Sequence, residues 1–126
     1  MTLLYVDDDL EDLEIFHEAI KIIDDSAICV TARNGEQGLN VLRTIIPDCI
    51  FLDINMPVMD GKETLRNIRR DRRFQSVPVF MLSTSGNKNE MELCELLGAT
   101  AFLTKPESFK ELTIKLKTVI DKIAIL

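Results

Sequence analysis

Short apolar runs in this chain stop at residues equipped for chemistry. Leu4-Tyr5-Val6 leads into Asp7, Asp8 and Asp9, Cys49-Ile50-Phe51-Leu52 ends at Asp53, Val79-Phe80-Met81-Leu82 ends at Ser83, Thr84 and Ser85, and Ala101 to Thr104 leads to Lys105. Carboxylates, hydroxyls and one ammonium suit phosphoryl chemistry with a divalent cation. Mg²⁺ takes hard oxygen ligands in octahedral geometry and keeps several waters, so two or three carboxylates, a backbone carbonyl and a phosphoryl oxygen would complete its shell. Two carboxylates ~4 Å apart at an effective dielectric of ~20 repel by roughly 4 kcal/mol before solvent relaxes the cost. The acids at 7 to 9 therefore call for positive charge, which Lys105 supplies only in part. The expected site destabilises the chain when empty and is stabilised by Mg²⁺ through linkage.

These residues can act together only if the runs that carry them lie side by side. The apolar runs alternate with longer segments of helical period, the pattern of repeated βα units around a parallel sheet. Strands are expected at about Leu3 to Val6, Ala27 to Ala32, Cys49 to Asp53, Val77 to Ser83 and Ala101 to Thr104. In an α/β; doubly wound sheet, ligands gather at the carboxyl ends of the strands, where all the groups named above fall.

Helices fill the gaps. The first spans about Leu10 to Ile23, with Leu13, Phe16, Ile20 and Ile23 inward, Asp9 as its cap and Asp12 at its third position. Asn34-Gly35 turns into a second helix with Leu39, Leu42 and Ile46 as its inward stripe. A third lies between Lys62 and Arg70, a fourth between about Lys88 and Leu97 with Gly98 as its stop, and the last is lined by Phe109, Leu112, Leu116, Val119 and Ile123. Asp60-Gly61 reads as turn chemistry, with Gly allowing a positive φ. Pro57 and Pro106 hold Met56 and Lys105 extended.

Composition narrows the function. A chain of 126 residues is expected to form a single domain, residues 1 to 126, with no effector module after the last helix. Its 15 basic and 21 acidic residues give a net charge of -6, and the Arg69-Arg70 and Arg72-Arg73 clusters read as a solvated helix end, so no nucleic acid is expected as a partner. Cys29, Cys49 and Cys94 are widely spaced in apolar surroundings and read as buried thiols. With no leader or membrane-length segment, the expected setting is cytoplasmic, with no membrane partner. His17, the one histidine, falls on the first helix without a second histidine to act with, and the methionines read as packing residues.

The fragments "LLYVDDD", "CIFLDINMPVMDG", "VPVFMLSTS" and "AFLTKP" occur in an order and spacing that resembles the receiver domain of two-component response regulators, over essentially the whole chain. The resemblance implies a flavodoxin-like (βα)₅ sheet of strand order 2-1-3-4-5. It makes Asp53 the phosphoacceptor, Asp7 and Asp8 with Asp53 the acids that hold Mg²⁺, Asn55 the donor of a metal-binding backbone carbonyl, and Lys105 the contact to the phosphoryl group. It makes Ser83 and Phe102 a switch pair whose movement is read on the fourth helix, fifth strand and fifth helix by a downstream protein target. Phe in place of Tyr at 102 removes a hydroxyl from any output that needs one. Asn55 and Ser85 match positions that tune hydrolysis. The phosphoryl donor would be a histidine kinase or histidine phosphotransfer protein, and the chain a phosphoacceptor with at most self-catalysed transfer and dephosphorylation. The family often carries a cis bond at Lys-Pro, and the sequence leaves the isomer at Lys105-Pro106 open.

The sequence leaves two alternatives. A haloacid-dehalogenase-like phosphohydrolase would use Asp7 as nucleophile and Asp9 as its acid, but leaves "DINMPVMDG" unexplained and lacks a later acidic pair. A receiver-like module that binds partners without phosphorylation would need no intact set at 7, 8, 53, 83 and 105.

Overall fold

Branched and aromatic residues in runs of four or five, closed by turn residues, form strands here, and the inner strands find apolar cover on both faces. The computed structural model describes residues 1–125. Its strands are β1 (Thr2–Val6), β2 (Ile28–Ala32), β3 (Cys49–Asp53), β4 (Val79–Ser83) and β5 (Ala101–Thr104), and its helices α1 (Leu10–Ile23), α2 (Gly35–Val41), α3 (Gly61–Arg70), α4 (Lys88–Leu96) and α5 (Phe109–Ile125). The strands pair in parallel in the order β2-β1-β3-β4-β5. This is the flavodoxin-like order. The chain steps outward from β1 to β2 and then crosses back to β3, so the crevice of the sheet opens between the carboxyl ends of β1 and β3.

Alternation divides the core in two. Leu3, Tyr5, Cys49, Phe51, Phe80 and Leu82 meet Leu13, Phe16 and Ile20 of α1 and Leu116 and Ile120 of α5. Leu4, Val6, Ile50, Leu52, Val79 and Met81 meet Leu65 and Ile68 of α3 and Cys94 of α4, with Leu42 beyond α2. On the first face Tyr5, Phe16, Phe51 and Phe80 form a chain of aromatic contacts with ring centroids 4.0, 5.0 and 5.1 Å apart. Among the described residues no helix is long and apolar enough to cross a membrane.

The structure corrects several sequence expectations. α2 stops at Val41, and Ile46, which Pro47 keeps out of helical geometry, is 60% exposed. β4 starts at Val79, since Pro78 has no N–H to give the ladder. Phe109 is 40% exposed at the start of α5, outside its buried stripe, which is Leu116 and Ile120 with Leu112, Val119 and Ile123 partly covered. Arg69 is not a solvated end: its guanidinium donates to the carbonyls of Gly98 at 2.8 Å and Phe74 at 2.7 Å and ties α3 to the turn after α4. Arg73 pairs with Asp71. Met91 is exposed on α4 instead of packed.

Gly98, with φ of 103°, ends α4 as expected. Gly61 does not have the positive φ its type suggested. That conformation falls on Val58, at φ 70°, where the Met59 N–H bonds the Pro57 carbonyl at 2.8 Å across a three-residue turn. All peptide bonds among the described residues are trans, Lys105-Pro106 included. Cys49 and Cys94 are buried and Cys29 half-buried; burial pushes the Cys49 thiol up to about 12 and Cys29 up to about 11.

Candidate functional site

The sheet places the sequence candidates before any side chain chooses a rotamer. Residues two apart share a face, so Asp7 follows Tyr5, Asp53 follows Phe51, and Lys105 follows Leu103, all on the side covered by α1 and α5. The ladder runs one residue past the strands to hold them: Asp7 N–H donates to Ala32 at 3.0 Å, and Lys105 N–H donates to Ser83 at 2.7 Å. Ser83 and Phe102 fall on the opposite parity, toward α4, with Met81 opposite Phe102 and Ser83 opposite Thr104.

The Lys105 ammonium is the centre of the site. Its Nζ lies 2.8 Å from Asp7 Oδ2, 3.1 Å from Asp53 Oδ1 and 3.1 Å from Asp12 Oδ2. It donates hydrogen bonds to Asp7 and Asp12 and stands beside Asp53 as an ion pair. Asp7 is 1% and Asp53 7% exposed, whereas Asp8 lies open to solvent. Asp7 Oδ1 also accepts the Asp9 N–H at 3.0 Å, and Oδ2 accepts the Tyr5 hydroxyl.

Burial, then the Asp7 charge, push Asp53 up to about 6, because the single ammonium that opposes them is shared with two other acids. Burial works against the charge on Lys105, but the hydrogen bond and charge of Asp7, with Asp53 and Asp12, hold its pKa well above the ordinary lysine value. One oxygen each from Asp7, Asp8 and Asp53 lies within 4.8 Å of the others. Such a set of hard oxygen donors with excess negative charge fits Mg²⁺ better than a soft transition metal. Asn55 is exposed in the loop just beyond Asp53.

Local structure fixes the loops around this cluster. Asp9 caps α1 by accepting the N–H groups of Glu11 at 2.9 Å and Asp12 at 3.2 Å. The reciprocal half of a capping box is not made, since the Asp12 carboxylate turns to Lys105. With Asp9 committed to the cap, the dehalogenase arrangement loses its acid. Asp60 caps α3 by accepting from Glu63 at 2.9 Å. Gly61 packs so closely that a Cβ there would sit 2.3 Å from the Asp53 carbonyl oxygen and 2.8 Å from Ile54 Cα. Ser83 is buried and its Oγ accepts the Ser85 N–H at 3.0 Å. Phe102 is half-buried and packs against the α3 and α4 side of the core. His17 is exposed on α1.

Two groups that touch the cluster are absent from the sequence expectations. Tyr5 sits in an apolar run, where an aromatic reads as core, yet its position two before Asp7 places it on the same face. Asp12 reads as a helix-cap residue, yet it stands one turn into α1, where that helix passes the chain after β5.

Residues 3–117 match the family described as the response regulator receiver domain. The chain is 34% identical over 119 residues to a probable transcriptional regulator, ycf27, of Guillardia theta, a match that covers 94% of this chain and 45% of that protein. A crystal structure of the phosphorylated cyanobacterial phytochrome response regulator RcpA superposes with a TM-score of 0.88 at 28% identity, covering 95% of this chain and 91% of that one. The Mn(2+)-bound form of response regulator Rcp1 does so with a TM-score of 0.83 at 26% identity, covering 94% and 90%. The chain spans about half or less of the length of the curated relatives it matches.

Proposed function

The chain belongs to the response regulator receiver-domain family, and from that membership we propose that it accepts a phosphoryl group on Asp53 and changes a protein-binding surface in response. The observation that carries this reading is the Lys105 ammonium held 3.1 Å from Asp53 beside two further buried or half-buried acids. The donor is a phosphohistidine of a histidine kinase or a phosphotransfer protein. An Asp53 carboxylate oxygen attacks phosphorus, the P–N bond to the donor imidazole breaks, and the imidazole leaves with that electron pair while an acyl phosphate forms on Asp53.

A carboxylate is a weak nucleophile, so the work of this chain is alignment and charge. Lys105 follows the charge as it develops, donating to a phosphoryl oxygen and releasing a carboxylate. Asp7, Asp8, Asp53 and the backbone carbonyl of Asn55 would hold Mg²⁺, which when bound supplies positive charge beside the transferring oxygens. The Mn(2+)-bound Rcp1 and the phosphorylated RcpA support the cation and the modification respectively. Ser83 and Phe102 form the switch: both stand on the α4 side of the sheet, so a new bond from Ser83 to the phosphoryl group releases Phe102 to repack beneath α4, β5 and α5. The exposed Leu96 and Ile114 give that face apolar contact area for a protein target.

Intact-protein mass tests the reading. After incubation with Mg²⁺ and acetyl phosphate or a phosphohistidine donor, the native chain gains a labile adduct of ~80 Da, one phosphoryl group, and Asp53→Asn gains none. A native chain left unmodified by every donor would instead support a binding module that works without phosphorylation.

A further inference from the structure

Tyr5 is the one tyrosine of a chain without tryptophan, and it lies in a central strand where a polar atom needs a partner. It is 2% exposed, and its ring stacks on Phe16 with centroids 4.0 Å apart. Phe16 meets Phe51 edge-on at 5.0 Å, and Phe51 stacks on Phe80 at 5.1 Å. Packed in this way, the phenol has a fixed direction, and the hydroxyl at its tip donates to Asp7 Oδ2.

The other donor to that oxygen is Lys105, which is divided among Asp7, Asp12 and Asp53. When Lys105 turns to a phosphoryl group, Asp7 loses part or all of its share of the ammonium. Among the described residues the Tyr5 hydroxyl has no other acceptor, and it stays. Asp7 is 1% exposed, so a carboxylate oxygen left without a donor there would carry a large desolvation cost.

We propose that Tyr5 is a positioning residue for the cation site: its hydroxyl fixes the rotation of the Asp7 carboxylate and keeps it in the Asp7, Asp8 and Asp53 cluster whether or not Lys105 is engaged. The proposal rests on the Mg²⁺ site of the function proposed above. Outer partners that orient a ligand commonly change metal affinity 10-fold to 100-fold when removed. Tyr5→Phe keeps the ring and its stacking and removes only the hydroxyl.

Calorimetric titration of Mg²⁺ into the native full chain and into Tyr5→Phe gives the comparison, with melting in EDTA run alongside. The variant Kd rises by about 10-fold or more. Equal Kd values with a lower melting temperature for the variant would make Tyr5 a packing residue and overturn the proposal. A native chain that binds no Mg²⁺ would overturn the cation site and Tyr5 together.

Discussion

Replacing Asp53 with Asn in the metal-free chain should raise stability at neutral pH, and the gain should vanish in acid. Asp53 titrates at about 6 in the fold against an ordinary value of 3.8 because burial and Asp7 disfavour its charge. The folded chain therefore binds this proton more tightly than the unfolded chain, so the contribution of Asp53 to stability falls as pH rises from about 4 through about 6 and then levels. A shift of ~2 pKa units corresponds to about 3 kcal/mol of destabilisation at neutral pH. With an unfolding entropy of ~2.1 cal/mol/K per residue, that is on the order of 10 °C in Tm for a domain of this size.

Asparagine cannot ionise, and in the variant Lys105 keeps Asp7 and Asp12. The loss of the Asp53 to Lys105 contact adds an offset that is constant below the titration of Lys105, so the informative quantity is the pH dependence of the difference between the two chains. Urea denaturation in EDTA from pH 4 to 7.5 measures it. The advantage of Asp53→Asn should grow by about 2.5 kcal/mol across that range, since at pH 4 a small part of it is already present. Saturating Mg²⁺ should reduce it, since binding at 100 times Kd returns about 2.7 kcal/mol to the native chain. A difference that stays flat with pH would mean that Lys105 compensates Asp53 fully, and the account of a strained acid cluster would be wrong.

Other substitutions test the supports. Gly61→Ala forces a methyl against the backbone at Asp53 and Ile54, so it should lose about 2–3 kcal/mol and accept phosphate slowly from acetyl phosphate; native behaviour in both assays would contradict the close packing. Arg69→Ala removes two charge-assisted bonds, to Gly98 and Phe74, and should cost about 2 kcal/mol by thermal or urea denaturation, against near zero for a solvated arginine. Asp12→Ala breaks a pair whose acid is partly exposed, so its stability change should stay under about 1 kcal/mol; a larger loss would show that Asp12 is part of the buried charge balance.

What the sequence shows of this fold follows from which features repeat. A strand inside a parallel sheet reads as a short continuous apolar run, so Cys49 to Asp53 and Ala101 to Thr104 are legible to their end residues, and with the strand ends come the positions of Asp53 and Lys105. Long-range choices are not written in any window. Arg69 reads as one more surface charge until Gly98 and Phe74 present carbonyls to it from segments distant or turned in the chain. Asp12 reads as a cap because capping is local, while its pairing with Lys105 joins residues 93 apart.

The loop after Asp53 shows how a correct residue type can suggest a wrong cause. Glycine permits positive φ, and sequence alone assigns that freedom to Gly61. The fold instead uses the missing side chain of Gly61 to bring α3 against the carbonyl of Asp53, and it places the left-handed turn on Val58, a branched residue that is 79% exposed. The two facts are connected through the backbone. The Gly61 N–H bonds the Ile54 carbonyl at 2.9 Å, so residues 54 to 61 close a loop whose ends are fixed beside Asp53. The reversal of direction then falls inside the span, after Pro57 has fixed its own φ and excluded helix at Met56. Strain at Val58 and contact at Gly61 are thus two ends of one constraint, the short loop that holds α3 against the backbone of Asp53.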